Sequence, residues 1–381
     1  MTCEPQSLGV YVHWPYCAKI CPYCDFNVVR DRGRSAQAQA LVRAIVVDLK
    51  THARKLGRRE LTSVFFGGGT PSLMPPEAVA EIILTAKRLW PPVGELEITL
   101  EANPADAERF RFAALAHAGV NRLSLGVQSF DDHHLRFLGR DHDAAAAHVA
   151  VERALAAFPR VSIDLIYALP DQTAEDWRAM LADAAAMGPE HISAYQLTIE
   201  TKTAFGRAVG RGELKPPSDE ISAELFETTQ TVLGGLGFEA YEVSNHALGT
   251  AARARHNLTY WRGGDYVGVG PGAHGRLTHS GDRHATESPR RVGDYIARVE
   301  KVGIGATWET LTPRDVALER LLMGLRTVEG VQTSELGDLH LSAARMADFK
   351  GWLQIEGERL VATARGRPVL DHLLTELTRA A

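Results

Sequence analysis

Short apolar runs alternate with longer segments in which apolar residues recur every three or four positions. Runs at 9–13, 63–66, 97–100, 122–125, 161–165 and 191–195 read as strands. The segments behind them, near 36–56, 77–90, 105–118, 144–158, 174–187 and 218–235, read as helices. β-then-α units repeated in order predict a parallel sheet with helices outside it, and so an α/β fold with a partial (β/α)6 TIM-like barrel. The regularity stops after Gly237. Residues 238–305, rich in glycine and aromatics, read as a loop-rich extension covering the sheet edge. Residues 306–381 read as a small α+β domain of winged-helix type: helices at 313–326 and 342–352, strands at 353–356 and 359–362, a last helix at 366–379. The division expected is 1–237, 238–305 and 306–381.

The chain of 381 residues has 45% hydrophobic residues, enough for a substantial core. Its formal charge of −5 and the absence of a dense basic run in the tail give no support for nucleic-acid binding. No secretory signal and no bilayer-length apolar run is visible, so a cytoplasmic protein without a membrane-spanning segment is expected. Four cysteines do not make a disulfide scaffold. Cys17, Cys21 and Cys24 fall within eight residues, CAKICPYC, and suggest metal or redox chemistry. Cys3 stands apart and reads as incidental.

Barrel enzymes carry their chemistry at the C-terminal ends of their strands. Here the first strand runs into the cysteine loop and the second into Gly67-Gly68-Gly69-Thr70-Pro71. The third ends at Glu101, the fourth at Gly126-Val127-Gln128, the fifth carries Asp164 and the sixth ends in Gln196. Each alone is an ordinary turn or cap; in series they point to one site.

Four readings of the cysteines stand side by side. Cys21-Pro22-Tyr23-Cys24 has the form of a redox dithiol. With His13 as fourth ligand, the set makes Cys3His zinc. Unliganded core packing is a third reading. In the fourth, the spacing C-x3-C-x2-C wraps one iron–sulfur cube and places a thiolate on each of three irons. The fourth iron is then free for a further ligand.

The motif after the first strand, with GGGTP after the second, resembles the radical S-adenosylmethionine (SAM) enzymes. The resemblance implies a [4Fe–4S] cluster on Cys17, Cys21 and Cys24. SAM chelates the open iron, and an electron from the cluster splits it to a 5′-deoxyadenosyl radical. It implies SAM contacts from Tyr11, Tyr23, Gly68, Gly69, Thr70, Glu101, Gln128, Arg140 and Asp164. The triple glycine would let backbone approach the methionine end. Arg140 reads alternatively as a solvent-exposed helix cap.

YVHWPYC, FFGGGTPS, TLEANP, LGVQSF, SIDLIYALPDQT, YEVSN and RHNLTYWRGGDYVGVGPGAHG occur in order. Together they resemble the oxygen-independent coproporphyrinogen III oxidase family over nearly the whole chain, closest to its heme-chaperone (HemW) branch. The oxidases have a fourth cysteine two positions after the third; this chain has Phe26 there. Residues 256–261, HNLTYW, resemble the branch's HNxxYW motif, which implies heme with His256 as iron ligand and Tyr260 and Trp261 against the porphyrin. His246 and His274 are further candidate ligands. The resemblance implies heme, a heme-acceptor protein and a reductase or flavodoxin-type electron donor as partners, and leaves a homodimer open. The alternative is the oxidase itself, with Arg253, Arg255 and Arg262 available to substrate carboxylates; Phe26 in place of the oxidase-type cysteine speaks against that activity, while SAM cleavage is still expected from the three remaining cysteines.

Overall fold

The computed structural model describes residues 6–33, 35–107, 109–341 and 348–379. Cys3 and most of the expected 342–352 helix lie outside them. Six strands pair in parallel in chain order: Ser7–Trp14 (β1), Glu60–Gly68 (β2), Pro92–Ala102 (β3), Arg122–Gln128 (β4), Arg160–Tyr167 (β5) and His191–Gln196 (β6). Helices at Ser35–Leu56, Pro76–Leu89, Ala144–Ala157, Ala174–Ala186 and Asp219–Gly235 follow the expected segments. Local chemistry sets their starts. Asp143 and Ser218 cap their helices, Thr173 and Asp176 form a capping box, and Pro76 stands at a first helical position. The third segment divides into a 3-10 turn at Pro104–Asp106 and a helix at Arg109–His117.

The stretch from 238 onward is more ordered than its glycines imply. Glu239–Ala240 (β7) and Asn245–Ala247 (β8) extend the sheet antiparallel beyond β6. HNLTYW is a helix, Arg255–Trp261, not a loop. Asp265–Val269 (β9) pairs parallel with β1, and His274–His279 (β10), Asp282–Glu287 (β11) and Thr307–Thr310 (β12) continue antiparallel. The glycines sit in the turns between these strands. The result is one open twelve-stranded sheet in the order β12-β11-β10-β9-β1-β2-β3-β4-β5-β6-β8-β7. The barrel is partial.

Alternation along the strands separates two faces. Leu8, Val10, Val12, Leu61, Val64, Phe66, Ile98, Leu100, Leu123, Leu125, Ile163 and Leu165 join the buried core shared with the helices. The opposite face, which lines the lumen, is largely polar. Register sets Gly9 beside Ser63, Ser63 beside Glu97, Glu101 beside Ser124, Ser162 beside His191, and Asp164 beside Ser193. A lumen of this kind is built to take a ligand at its open end.

The tail has its own core. Leu321, Leu325, Val331, Leu353, Leu360, Leu373 and Leu377 pack together around the helix Pro313–Gly324. Its three-stranded sheet places Arg359–Ala362 between Val331–Gln332 and Leu353–Glu356. Leu370–Thr378 is the last helix.

Candidate functional site

The cysteine loop leaves β1 and returns beside it: Tyr16–Cys17 pairs parallel with Val29–Arg30. Cys17 is buried, and Cys21 and Cys24 are half-buried; all three are free thiols. Burial pushes the Cys17 thiol up, and burial pushes Cys24 up to about 11. Metal binding would displace those protons. Around a single zinc ion, thiolates at about 2.3 Å converge tightly. Among the described residues, the three cysteines do not form a group whose ligand atoms all lie within 4.8 Å of one another. His13 is no fourth ligand. Its Nε2 donates to the Asn27 carbonyl at 2.9 Å, and its Nδ1 accepts from the Tyr11 hydroxyl at 3.0 Å.

The glycines after β2 have a reason inside the fold. A Cβ on Gly69 would lie 2.7 Å from the Tyr16 carbonyl, and one on Gly68, whose φ is +110°, would strike the His13 ring. The Gly69 and Thr70 amides donate to the Trp14 and Tyr16 carbonyls at 2.7 and 2.8 Å. The loop therefore seats the cysteine segment closely, and Thr70 hydrogen-bonds the Cys17 thiol.

The remaining strand ends converge. Glu101 accepts the Gly68 amide at 3.1 Å. Burial first, then the neighbouring Asp164, pushes its carboxyl up to about 7. Asp164 is also raised by burial, although Ser124 and Ser162 donate to it at 2.8 and 3.2 Å. Arg140 is not the exposed cap: it donates to Cys21 Sγ at 3.3 Å, to Asn103 Oδ1 at 2.8 Å and to the Gly126 carbonyl at 2.9 Å. Tyr23 lies against Arg140 and Cys21. Gln128 has a left-handed backbone, φ +68°, at an irregularity in the β4–β5 register. Its amide closes on Gly126, where a Cβ would lie 2.8 Å away. A non-glycine residue held there at a strand end is a mark of function.

This mouth fits a cofactor with an amine and hydroxyl donors. Two half-buried carboxylates with raised pKa lack a cationic partner within ion-pair distance among the described residues, and a donor ligand would relieve them.

His256 is placed elsewhere. It is fully buried, with Ser63 Oγ at 2.8 Å from Nδ1 and the Tyr260 hydroxyl at 2.6 Å from Nε2. Its ring stacks on Phe65 at 5.1 Å. Burial lowers its pKa to about 3. Neither nitrogen faces an open ligand position, and the expectation of iron ligation by His256 does not fit this arrangement. His246 is buried too, and its Nε2 meets Gln230 at 3.2 Å. His274 is exposed. The arginines considered for substrate carboxylates are already engaged: Arg255 with Glu95, Arg262 with Glu329, and Arg253 near Glu239 and Glu329.

Sequence reasoning missed Asn27. Its Nδ2 donates to the Pro271 and Arg290 carbonyls, both at 2.9 Å, and ties the cysteine loop to the β9–β10 turn. It missed Glu97 as well, whose carboxylate accepts the Arg255 and His256 amides at 3.1 and 3.0 Å and so caps the HNLTYW helix. No local signal marks either one.

A half-barrel whose first loop holds three cysteines, with carboxylates and an arginine at the following strand ends, defines a radical SAM protein. Residues 11–184 match the Radical SAM superfamily, and residues 311–369 match the HemN C-terminal domain. The chain is 39% identical to Radical S-adenosyl methionine domain-containing protein 1, mitochondrial, of Bos taurus, over 98% of this chain and 87% of that one. It is 34% identical to Heme chaperone HemW of Mycobacterium tuberculosis, over 98% and 95%. The solved structure of coproporphyrinogen III oxidase (HemN) from Escherichia coli superposes with TM-score 0.80 at 22% identity, covering 99% of this chain and 91% of that one. The chain belongs to the HemN/HemW family of the radical SAM superfamily.

Proposed function

We propose that this protein is a heme chaperone that binds heme, holds a SAM-chelating [4Fe–4S] cluster, and hands heme to an acceptor protein. The observation that carries the reading is Phe26. It occupies the position two after Cys24, is 64% exposed, and offers no fourth thiolate. Relatives named heme chaperone HemW, 34–39% identical, support the same reading. The engaged state of Arg253, Arg255 and Arg262 removes the sequence feature that favoured the oxidase.

Cys17, Cys21 and Cys24 would hold the cluster. Glu101, Gln128, Asp164, Thr70 and the Gly68–Gly69 backbone would hold SAM, with Tyr11 and Tyr23 beside them. When bound, the pair supplies one-electron cleavage of a carbon–sulfur bond. The chain's own contribution is positional. Arg140 offers a charge-assisted donor to the Cys21 sulfur, which favours thiolate over thiol. Glu101, ionised, would accept from the ligand's amine. The half-buried, stacked Tyr11 and Phe65 rings would limit water at the inner wall of the mouth. Electrons would come from a reductase or flavodoxin-type donor. The same reading places the protein in a reducing compartment such as the cytoplasm. Among the described residues no helix is long and apolar enough to cross a membrane.

The test is anaerobic reconstitution of the full chain, followed on one sample by heme titration and by an assay with coproporphyrinogen III, SAM and reductant. A Soret band that saturates, with no conversion of the porphyrinogen, is expected. Accumulating protoporphyrinogen, or no heme binding, overturns the proposal.

A further inference from the structure

Heme iron is commonly held by an axial side chain, and His256 of HNLTYW does not offer one in this fold. Three of the candidate histidines are closed to a ligand. His13 and His256 use both ring nitrogens in hydrogen bonds, and His246 is 1% exposed within the sheet extension.

His274 differs in each respect. It opens β10, so it stands at the mouth end of the sheet, because β9 runs parallel to β1 and β10 returns from it. Its side chain is exposed and lies near enough to His13 to help lower that ring's pKa. Asn27 sets its surroundings. Through its bonds to Pro271 and Arg290, Asn27 brings the end of the cysteine loop against both flanks of the β10–β11 hairpin. The Gly272 amide donates to the Pro289 carbonyl at 3.0 Å, and the Ser288 amide to the Ala273 carbonyl at 2.9 Å, so the two flanks run side by side. A Cβ on Gly272, at φ +76°, would strike the Asn27 amide, so the turn closes only with glycine.

One neighbourhood thus presents three kinds of group. Phe26, adjacent to Asn27, is a large aromatic left in solvent, and Ile20 on the same loop is 44% exposed. Arg290 and Arg291 are exposed and make no ion pair among the described residues. His274 supplies an imidazole. An apolar plane, two cations and a nitrogen donor complement an iron porphyrin, which has a flat apolar body, two carboxylates and an open axial position.

We propose that heme docks over the mouth of the half-barrel with His274 as the iron ligand, Phe26 against the porphyrin face, and Arg290 and Arg291 on the propionates. The proposal rests on the heme-binding reading above. The bond is a dative one from imidazole nitrogen to iron and needs no electron transfer. It would set the porphyrin edge beside the cysteine loop.

The experiment uses the full chain after anaerobic cluster reconstitution, with iron and sulfide measured before hemin is added. Hemin is titrated into wild type, His274→Ala, Phe26→Ala and His133→Ala. The His274→Ala change should weaken binding at least about tenfold, shift the Soret band, and recover the wild-type spectrum with added imidazole. Phe26→Ala should weaken binding by a smaller factor. His133→Ala, at another exposed histidine, should match wild type. Wild-type affinity and spectrum in His274→Ala, failure of imidazole rescue, or equal loss in His133→Ala overturns the ligand assignment while heme binding stands. A wild type that takes no hemin removes both.

Discussion

Arg140 Nη1 donates to Cys21 Sγ at 3.3 Å, across 119 residues of sequence. A guanidinium on a thiolate stabilises its charged form, so this contact ties the end of the fourth strand's loop to the cysteine loop.

Replacing Arg140 by Ala should therefore lower cluster occupancy. Hydrogen bonds to charged groups are worth about 1.5–3 kcal/mol. Iron and sulfide per chain after identical reconstitution should fall well below wild type, with Arg140→Lys intermediate. Unchanged iron in Arg140→Ala would mean that the contact is incidental.

Cys24→Ala should abolish the brown cluster absorbance, because two remaining thiolates leave two irons without protein ligands. Phe26→Cys should leave the absorbance intact and should not create porphyrinogen oxidation by itself. Conversion by that variant would show that one thiol separates the two activities.

Glu101 predicts a pH dependence of SAM binding. Its folded value of about 7 lies above the ordinary 4.5. The folded state therefore holds the proton more tightly than the unfolded one between these values. Carboxyl burial costs nothing extra below 4.5, and stability falls as pH rises through about 7. The ionised carboxylate is the better acceptor for the ligand's amine, so SAM affinity should rise between pH 6 and 8, values about one unit on either side of that pKa. Isothermal titration calorimetry across that range should show the rise in wild type and not in Glu101→Gln.

Glu97 predicts a loss of stability far from the cysteines. It is buried and accepts two helix amides and Arg160 Nη1, the last at 2.7 Å. Against the desolvation of burial, Arg122, Arg160 and the amides hold its carboxyl below the ordinary range. Breaking a buried pair costs about 3–5 kcal/mol. Glu97→Ala should lower the denaturation midpoint strongly while Glu95→Ala, at the exposed pair with Arg255, barely moves it.

The six strands and most of their helices were legible because the strands carry their own alternation and several of the helices their own cap. Leu8, Val10 and Val12 facing the helices, or Thr173 before Asp176, need no distant partner to be recognised. The extension was illegible for the opposite reason. HNLTYW becomes a helix because Glu97, more than 150 positions away, caps it. His256 is neutral and enclosed because Ser63 and Phe65 surround it. Arg140 looked like a surface cap because nothing near it in sequence reveals Cys21. Sequence proximity identified the three cysteines; only the folded chain shows that His13 and Asn27 hold their loop in place.

The HNLTYW helix, with His256 wedged between Ser63 and Tyr260, stoppers the foot of the lumen. A ligand seated deep in the lumen therefore does not leave through the foot, and a flat cargo resting across the rim would act as a cork over the small molecule beneath it. Delivery of that cargo would then be the event that lets the inner ligand exchange.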